Sequence, residues 1–268
     1  MKRNLAAASL SAALLLSLTA CATASSVGDV DGAVRTLTLS SEAILLDGEA
    51  LSPETEGAVT VSHDIVYYQD GTDESYGEGS AIDMHTAQEA GTHTVVTIRE
   101  AGTYRVSGTL EPGQLAIDLG EGAKRDSNAV VTLILDEIDI TCTVAPAVIF
   151  YNVYECDTDW VAYDEEEREE YSASPLVDTA AAGANVILAD GSENQVNGSY
   201  VARIYKEGTT KKLHKYDGAF YSKMSMNITG EEAGSGTLSI VAENEGLDSE
   251  LHLTINGGNL LIQAQNDG

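Results

Sequence analysis

The feature that most constrains this chain is a repeat near its end. Gly236-Thr237-Leu238-Ser239-Ile240-Val241-Ala242 is echoed by Gly258-Asn259-Leu260-Leu261-Ile262-Gln263-Ala264, an offset of 22 residues. Asn244-Glu245-Gly246 returns as Asn266-Asp267-Gly268 at the same offset. A looser echo lies upstream: Met226-Asn227-Ile228-Thr229-Gly230 matches Leu253-Thr254-Ile255-Asn256-Gly257 at 27, and Asp217-Gly218 matches Glu245-Gly246 at 28. A period in this range, holding two short strands with Gly and Asn at the corners, is what a parallel β-solenoid requires. Each turn stacks on the next and places equivalent residues in columns about 4.8 Å apart. A β-sandwich also has short strands, but it has no reason to repeat side chains at a fixed offset. The expected class is all-β.

The rest of the chain agrees. Thr36-Leu37-Thr38-Leu39, Val95-Val96-Thr97-Ile98, Val130-Val131-Thr132-Leu133-Ile134-Leu135 and Leu251-His252-Leu253-Thr254-Ile255 alternate or run apolar, punctuated by Gly, Asn, Asp and Ser. No stretch beyond the first twenty residues offers a ten-residue amphipathic helix. Hydrophobic residues make up 43% of the chain, enough to bury a core and to exclude wholesale disorder.

The first twenty residues form an address. Lys2 and Arg3 make a positive start, and Leu5 to Leu18 is apolar apart from three serines. The run ends in Leu18-Thr19-Ala20-Cys21, which resembles the lipobox of bacterial lipoproteins, in which the Cys is acylated and becomes the new N-terminus. The alternative is a secretory signal cleaved after Ala20 or Ala22. Residues 1–20 are therefore read as a lipoprotein signal, 21–34 as a small polar tether and 35–268 as the folded domain. The protein is expected outside the cell, anchored to the membrane through Cys21, as a monomer. Export would permit a disulfide between Cys142 and Cys156; the alternative is two buried thiols.

Charge narrows the partners. The chain carries 14 Lys+Arg against 43 Asp+Glu, a formal −29, and removing Lys2 and Arg3 with the signal leaves −31. Such a surface repels phosphate backbones, so nucleic acid is excluded as a partner, while divalent cations become natural companions.

Four blocks carry a resemblance: Gly102-Thr103-Tyr104-Arg105-Val106-Ser107-Gly108-Thr109-Leu110; Gly113-Gln114-Leu115-Ala116-Ile117; Val131-Thr132-Leu133-Ile134-Leu135-Asp136-Glu137-Ile138-Asp139-Ile140-Thr141; and Val186-Ile187-Leu188-Ala189-Asp190-Gly191-Ser192-Glu193-Asn194. They resemble a bacterial family of surface carbohydrate-binding proteins, right-handed parallel β-helices related in shape to pectate lyases. The resemblance runs from about Arg35 to Gly268. It implies binding of calcium and of plant-wall polysaccharides, acidic pectic chains or cellulose. Two departures stand out. The acidic stretch from Cys156 to Tyr171 reads as an insertion, and the chain stops on Asn-Asp-Gly where the family continues into another coil, which suggests a fragment or a shortened member.

Candidate metal ligands follow from the repeat. Asp217, Glu245 and Asp267 each precede a glycine at equivalent places, with Asp248 three residues past Glu245. Stacked carboxylates repel one another unless a cation sits between them. Calcium suits them, since it accepts six to eight oxygens in flexible geometry, and Asn244 and Asn266 are candidates to add theirs. The alternative is that Asp-Gly and Glu-Gly fill tight corners. The resemblance favours calcium.

Candidate saccharide contacts lie in two places. Arg203, Lys206, Lys211, Lys212, Lys215 and Lys223 face only Glu207 and Asp217 between positions 203 and 223, and Tyr200, Tyr205, Tyr216, Phe220 and Tyr221 interleave them. A basic loop with aromatic faces beside a calcium column suits a polyuronate; otherwise it is a solvated loop that eases self-repulsion. Trp160, with Tyr151, Tyr154, Tyr163 and Tyr171, lies in or before the acidic stretch, where a neutral glucan would be tolerated better than pectin.

No G-x-S-x-G, H-E-x-x-H or phosphate-cradling loop is present. The expected function is non-catalytic binding of polysaccharide by a calcium-containing domain. One alternative is a calcium-dependent polysaccharide lyase, with Lys215 or Lys223 as the base beside Asp217. Another is a structural envelope spacer or adhesin.

Overall fold

The computed structural model describes residues 32–53, 56–163 and 171–268. The expected signal, Cys21 and most of the tether lie outside these residues, as do positions 164–170 of the acidic stretch. With 46% of residues in strands and 7% in helix, the class is all-β, as the strand pattern predicts.

The strands assemble into three parallel runs. The first contains Arg35–Leu39, Gly102–Leu110, Val131–Cys142, Ala184–Leu188, Met226–Gly230 and Leu253–Ile255, each parallel to the next. Val131–Cys142 is twelve residues long, and its second half begins the second run, followed by Glu193–Gly198, Thr237–Ala242 and Asn259–Ala264. The third contains Thr94–Ile98, Gly113–Asp118, Val148–Asn152, Gly218–Ser222 and Glu245–Ser249, edged by the antiparallel Val59–Ser62. From Ala184 onward the chain visits first, second and third run in fixed rotation.

A bulge separates the first two runs. The register between Gly102–Leu110 and Val131–Cys142 slips between Val106 and Gly108, where Glu137 takes φ 63° as the extra residue. Gly108 sits opposite with φ 95°, and a Cβ there would lie 2.2 Å from the Leu39 carbonyl oxygen, so only glycine fits.

Buried side chains of successive strands stack in columns. Tyr104, Leu133, Val186 and Ile228 form one; Ile140, Val196 and Ile240 form another; Val96, Leu115, Val148 and Phe220 form a third. Each of these residues is at most 1% exposed, and all belong to one apolar cluster. Burying each aliphatic side chain is worth about 1.5–3 kcal/mol, so the columns are the main source of cohesion.

The offsets read from the sequence reappear as strand registers. Thr237 pairs with Asn259 at 22, and Met226 pairs with Leu253 at 27. The offset of 28 is corrected. Gly218, not Asp217, stands opposite Glu245, because the Glu245 amide donates to the Asp217 carbonyl at 3.2 Å and sets the pairing one residue along.

Between the second and third runs the chain makes an antiparallel hairpin, Val201–Tyr205 with Lys212–Tyr216. It docks on the preceding loop through Tyr205 N to Tyr76 O and Glu78 N to Arg203 O, both 2.8 Å. Cys142 is buried and Cys156 half-buried, and both are free thiols; the two-thiol alternative describes them and the disulfide does not.

Candidate functional site

The third run brings carboxylates together at its C-terminal end. Asp217 leaves the hairpin and enters Gly218–Ser222, while Glu245 opens the neighbouring strand and Asp248 lies within it. Each of Asp217, Glu245 and Asp248 offers an oxygen, and these oxygens all lie within 4.8 Å of one another. Gly218 makes the approach possible. A Cβ on it would come within 3.0 Å of the Asp248 Cβ and 3.1 Å of the Asp248 amide nitrogen, so a side chain would push Asp248 away.

The electrostatics record the crowding. Burial, then the charges of Glu245 and Asp217, push the Asp248 carboxyl up to about 6. Burial, then Asp217, raises Glu245 as well, with Asp267 adding to the effect and Lys215 opposing it. The Lys215 ammonium lies 2.7 Å from Asp217 Oδ2.

The donor set fits calcium. Oxygens held about 2.3–2.6 Å from a common ion stand no more than about 5 Å apart, as the oxygens of this trio do, and hard carboxylate donors match calcium's preference. Asp267 approaches through its backbone, its carbonyl accepting from Gly246 N at 2.9 Å, and its carboxylate lies outside the close trio. Asn244 and Asn266 are engaged elsewhere. Asn244 Nδ2 donates to the Asp217 carbonyl at 3.1 Å, and Asn266 Nδ2 donates to Asn244 Oδ1, an amide ladder beside the trio.

The expected saccharide contacts are placed differently. Tyr216 and Tyr221 are each 1% exposed, so their faces are not offered to a ligand. Their rings pack at 5.3 Å, Tyr216 meets Tyr151 edge-on at 5.6 Å, and the single proton of the Tyr221 hydroxyl is shared between the Lys215 carbonyl and Glu250. Tyr216 closes the hairpin strand Lys212–Tyr216, and the Tyr221 hydroxyl reaches back to the Lys215 carbonyl of that strand. Trp160 is 6% exposed, on the short helix Thr158–Ala162 capped by Asp157, and its ring packs into the core beneath Lys124. The structure thus packs all three of these aromatic side chains inward.

The basic loop is partly neutralised from within. Lys212 lies 3.5 Å from Glu250, and Lys215 is paired with Asp217. Lys211 sits on the turn side of the hairpin, and Lys223 is half-buried just past Gly218–Ser222, where its charge reinforces the burial that lowers His214 to about 4.

Two features were not read from the sequence. Glu155 is fully buried and accepts from Asp157 N, Ser225 N and Ser225 Oγ at 2.7–2.8 Å, while Asp157 accepts from Tyr171, Trp160 N and His252. This buried acidic knot roots the acidic stretch, and nothing in a run of Asp and Glu distinguishes the members that fold inward. The second is a groove of about 250 Å³ on the second run, lined in part by Thr141, Asn197, Val241 and Gln263. Val241 and Gln263 occupy one position of the 22-residue repeat, which was the available signal.

A family model described as carbohydrate-binding domain-containing protein matches residues 92–166 and 164–268, together well over half of the chain. Neither the curated proteins nor the solved structures give a match.

Proposed function

The chain belongs to the carbohydrate-binding domain-containing family, and from that premise we propose that it is a non-catalytic, calcium-containing binder of polysaccharide at the cell surface. The observation that supports calcium is the convergence of Asp217, Glu245 and Asp248. An ion there would offset the mutual repulsion of the trio, lock the last strands of the third run together and leave open positions for oxygens of an acidic sugar. Acidic pectic chains and cellulose are the proposed ligands.

The proposed fold is a right-handed parallel β-helix. The fixed rotation through three parallel runs, with 22- and 27-residue steps, supports it. Export and anchoring through Cys21 complete the reading, on the strength of the Leu18-Thr19-Ala20-Cys21 motif. Binding is favoured over lyase chemistry by the family match, and of the two candidate bases Lys215 is already paired with Asp217.

The test is a pull-down on insoluble polygalacturonate and on cellulose, with calcium or with chelator, reading the supernatant for unsaturated uronides. Calcium-dependent retention without product supports the proposal. Product makes the protein a lyase, and no retention on either polymer leaves a structural spacer.

A further inference from the structure

The second run carries a groove that the carboxylate trio does not use. Thr141, Asn197, Val241 and Gln263 stand at one register position on four successive strands. Strand alternation turns all four outward, while Ile140, Val196 and Ile240 beside them face the core. Thr143 and Glu243 form the next step of the wall, and small residues (Gly198, Ala242 and Ala264) keep the floor low. The groove therefore runs across the strands, along the direction in which they stack.

We propose that this groove binds one extended strand of a neutral, hydroxyl-rich polysaccharide. The proposal rests on the carbohydrate-binding reading above and deepens it by assigning a ligand class and a place. The chemistry of the wall decides the class. No Lys, Arg or His lines the groove, and its one charged side chain is the Glu243 carboxylate, which accepts from Ser199 Oγ at 2.7 Å. A polyuronate brings a carboxylate on every ring and is repelled here. Sugar hydroxyls both donate and accept, as the wall's amides and threonine hydroxyls do.

Spacing and order fit the same ligand. Successive wall residues recur about every 4.8 Å, close to the length of one ring in an extended chain. Part of the wall is already fixed: Gln195 Nε2 donates to Asn197 Oδ1 at 2.8 Å, and Asn197 Nδ2 donates to Thr141 Oγ1 at 3.0 Å. Binding to a fixed amide costs less ordering than binding to a mobile one. Val241, 42% exposed, supplies an apolar surface for the C–H face of a ring, and Leu261 on the adjoining strand is 61% exposed.

The test is affinity electrophoresis of the full chain in gels containing hydroxyethyl cellulose or polygalacturonate, each with and without calcium. Wild type is expected to be retarded by the neutral polymer whether or not calcium is present. Val241→Asp should weaken that retardation at least tenfold, and Gln263→Ala severalfold. Both positions are exposed, and thermal melting of each variant checks its folding. Neither variant should alter migration in polygalacturonate. The proposal is overturned if both folded variants run like wild type in the neutral gel, or if wild type is retarded only by polygalacturonate. No retardation in either gel removes the carbohydrate-binding reading itself, and this inference with it.

Discussion

Lys215 Nζ sits 2.7 Å from Asp217 Oδ2, so a lysine already occupies one flank of the carboxylate trio. The ammonium partly offsets the repulsion that raises Glu245, and it competes with any cation for Asp217. Lys215→Ala should therefore bind calcium more tightly. A half-exposed pair of this type is worth about 0.5–1 kcal/mol, which corresponds to roughly a two- to fivefold gain in affinity at low salt. Titration calorimetry reads the change; weaker binding would mean that the lysine organises the site instead of competing for it. The same variant bears on the lyase alternative together with Lys223→Ala: full turnover in both variants would remove these two lysines as the base.

Gly218 is the second control on the trio. Adding a methyl group forces Asp248 to shift, because the new Cβ meets Asp248 at 3.0 Å. Gly218→Ala should cost about 1–3 kcal/mol of stability and reduce the calcium-induced rise in Tm by more than the change in Tm without metal. An unchanged calcium response would place the metal away from Asp248.

The stacking of the chain was legible because the repeat carries its own geometry. Once Thr237 aligns with Asn259, the inward and outward residues of both strands follow from period-two alternation. The repeat put Asp217, Glu245 and Asp267 in one column with Asp248 beside it; the structure brings Asp217, Glu245 and Asp248 close together, with the pairing one residue off the offset read from the sequence. Burial of Tyr216, Tyr221 and Trp160 was not legible. It depends on Tyr216 of the hairpin packing against Tyr221 and on a helix placing Trp160 beneath Lys124, contacts that no repeat encodes. Composition marks these residues as aromatic and cannot say whether they face sugar or core. The groove was missed for a related reason: Thr141 and Asn197 come from strands outside the quoted repeat, and the column exists only once four strands are in register.

Trp160 supplies a direct optical test, since it is the chain's one tryptophan. Its near-complete burial predicts blue-shifted emission, weak quenching by acrylamide and no change when saccharide is added. Trp160→Ala should cost about 3–5 kcal/mol through the cavity it leaves. Saccharide-dependent quenching in wild type would return Trp160 to the binding surface.

Tyr221→Phe separates packing from recognition in the same way. The hydroxyl lies 2.9 Å from the Lys215 carbonyl and 2.8 Å from Glu250, which share its one proton. Its loss should cost about 1–3 kcal/mol by leaving those acceptors short of a donor. Saccharide affinity should not change, which affinity electrophoresis can check.

The pH dependence of stability should carry a signature of His214. Burial, then the nearby Lys223 charge, lowers its pKa to about 4, and its Nδ1 lies 2.5 Å from the Tyr216 hydroxyl. In the unfolded chain the imidazole titrates near its ordinary value of about 6.5. Between those two values the unfolded state binds a proton that the folded state refuses, so stability rises with pH and is lost as pH falls through this window. Asp83 and Asp157, both held below their ordinary values despite burial by hydrogen bonds to their carboxylates, add their own losses at lower pH. His214→Gln keeps a hydrogen-bonding group beside Tyr216 but does not titrate. Its Tm should fall less than that of wild type between pH 6.5 and pH 5, and the two curves should run parallel above pH 7. Identical slopes between pH 6.5 and pH 5 would show that His214 can take up its proton without disturbing the fold.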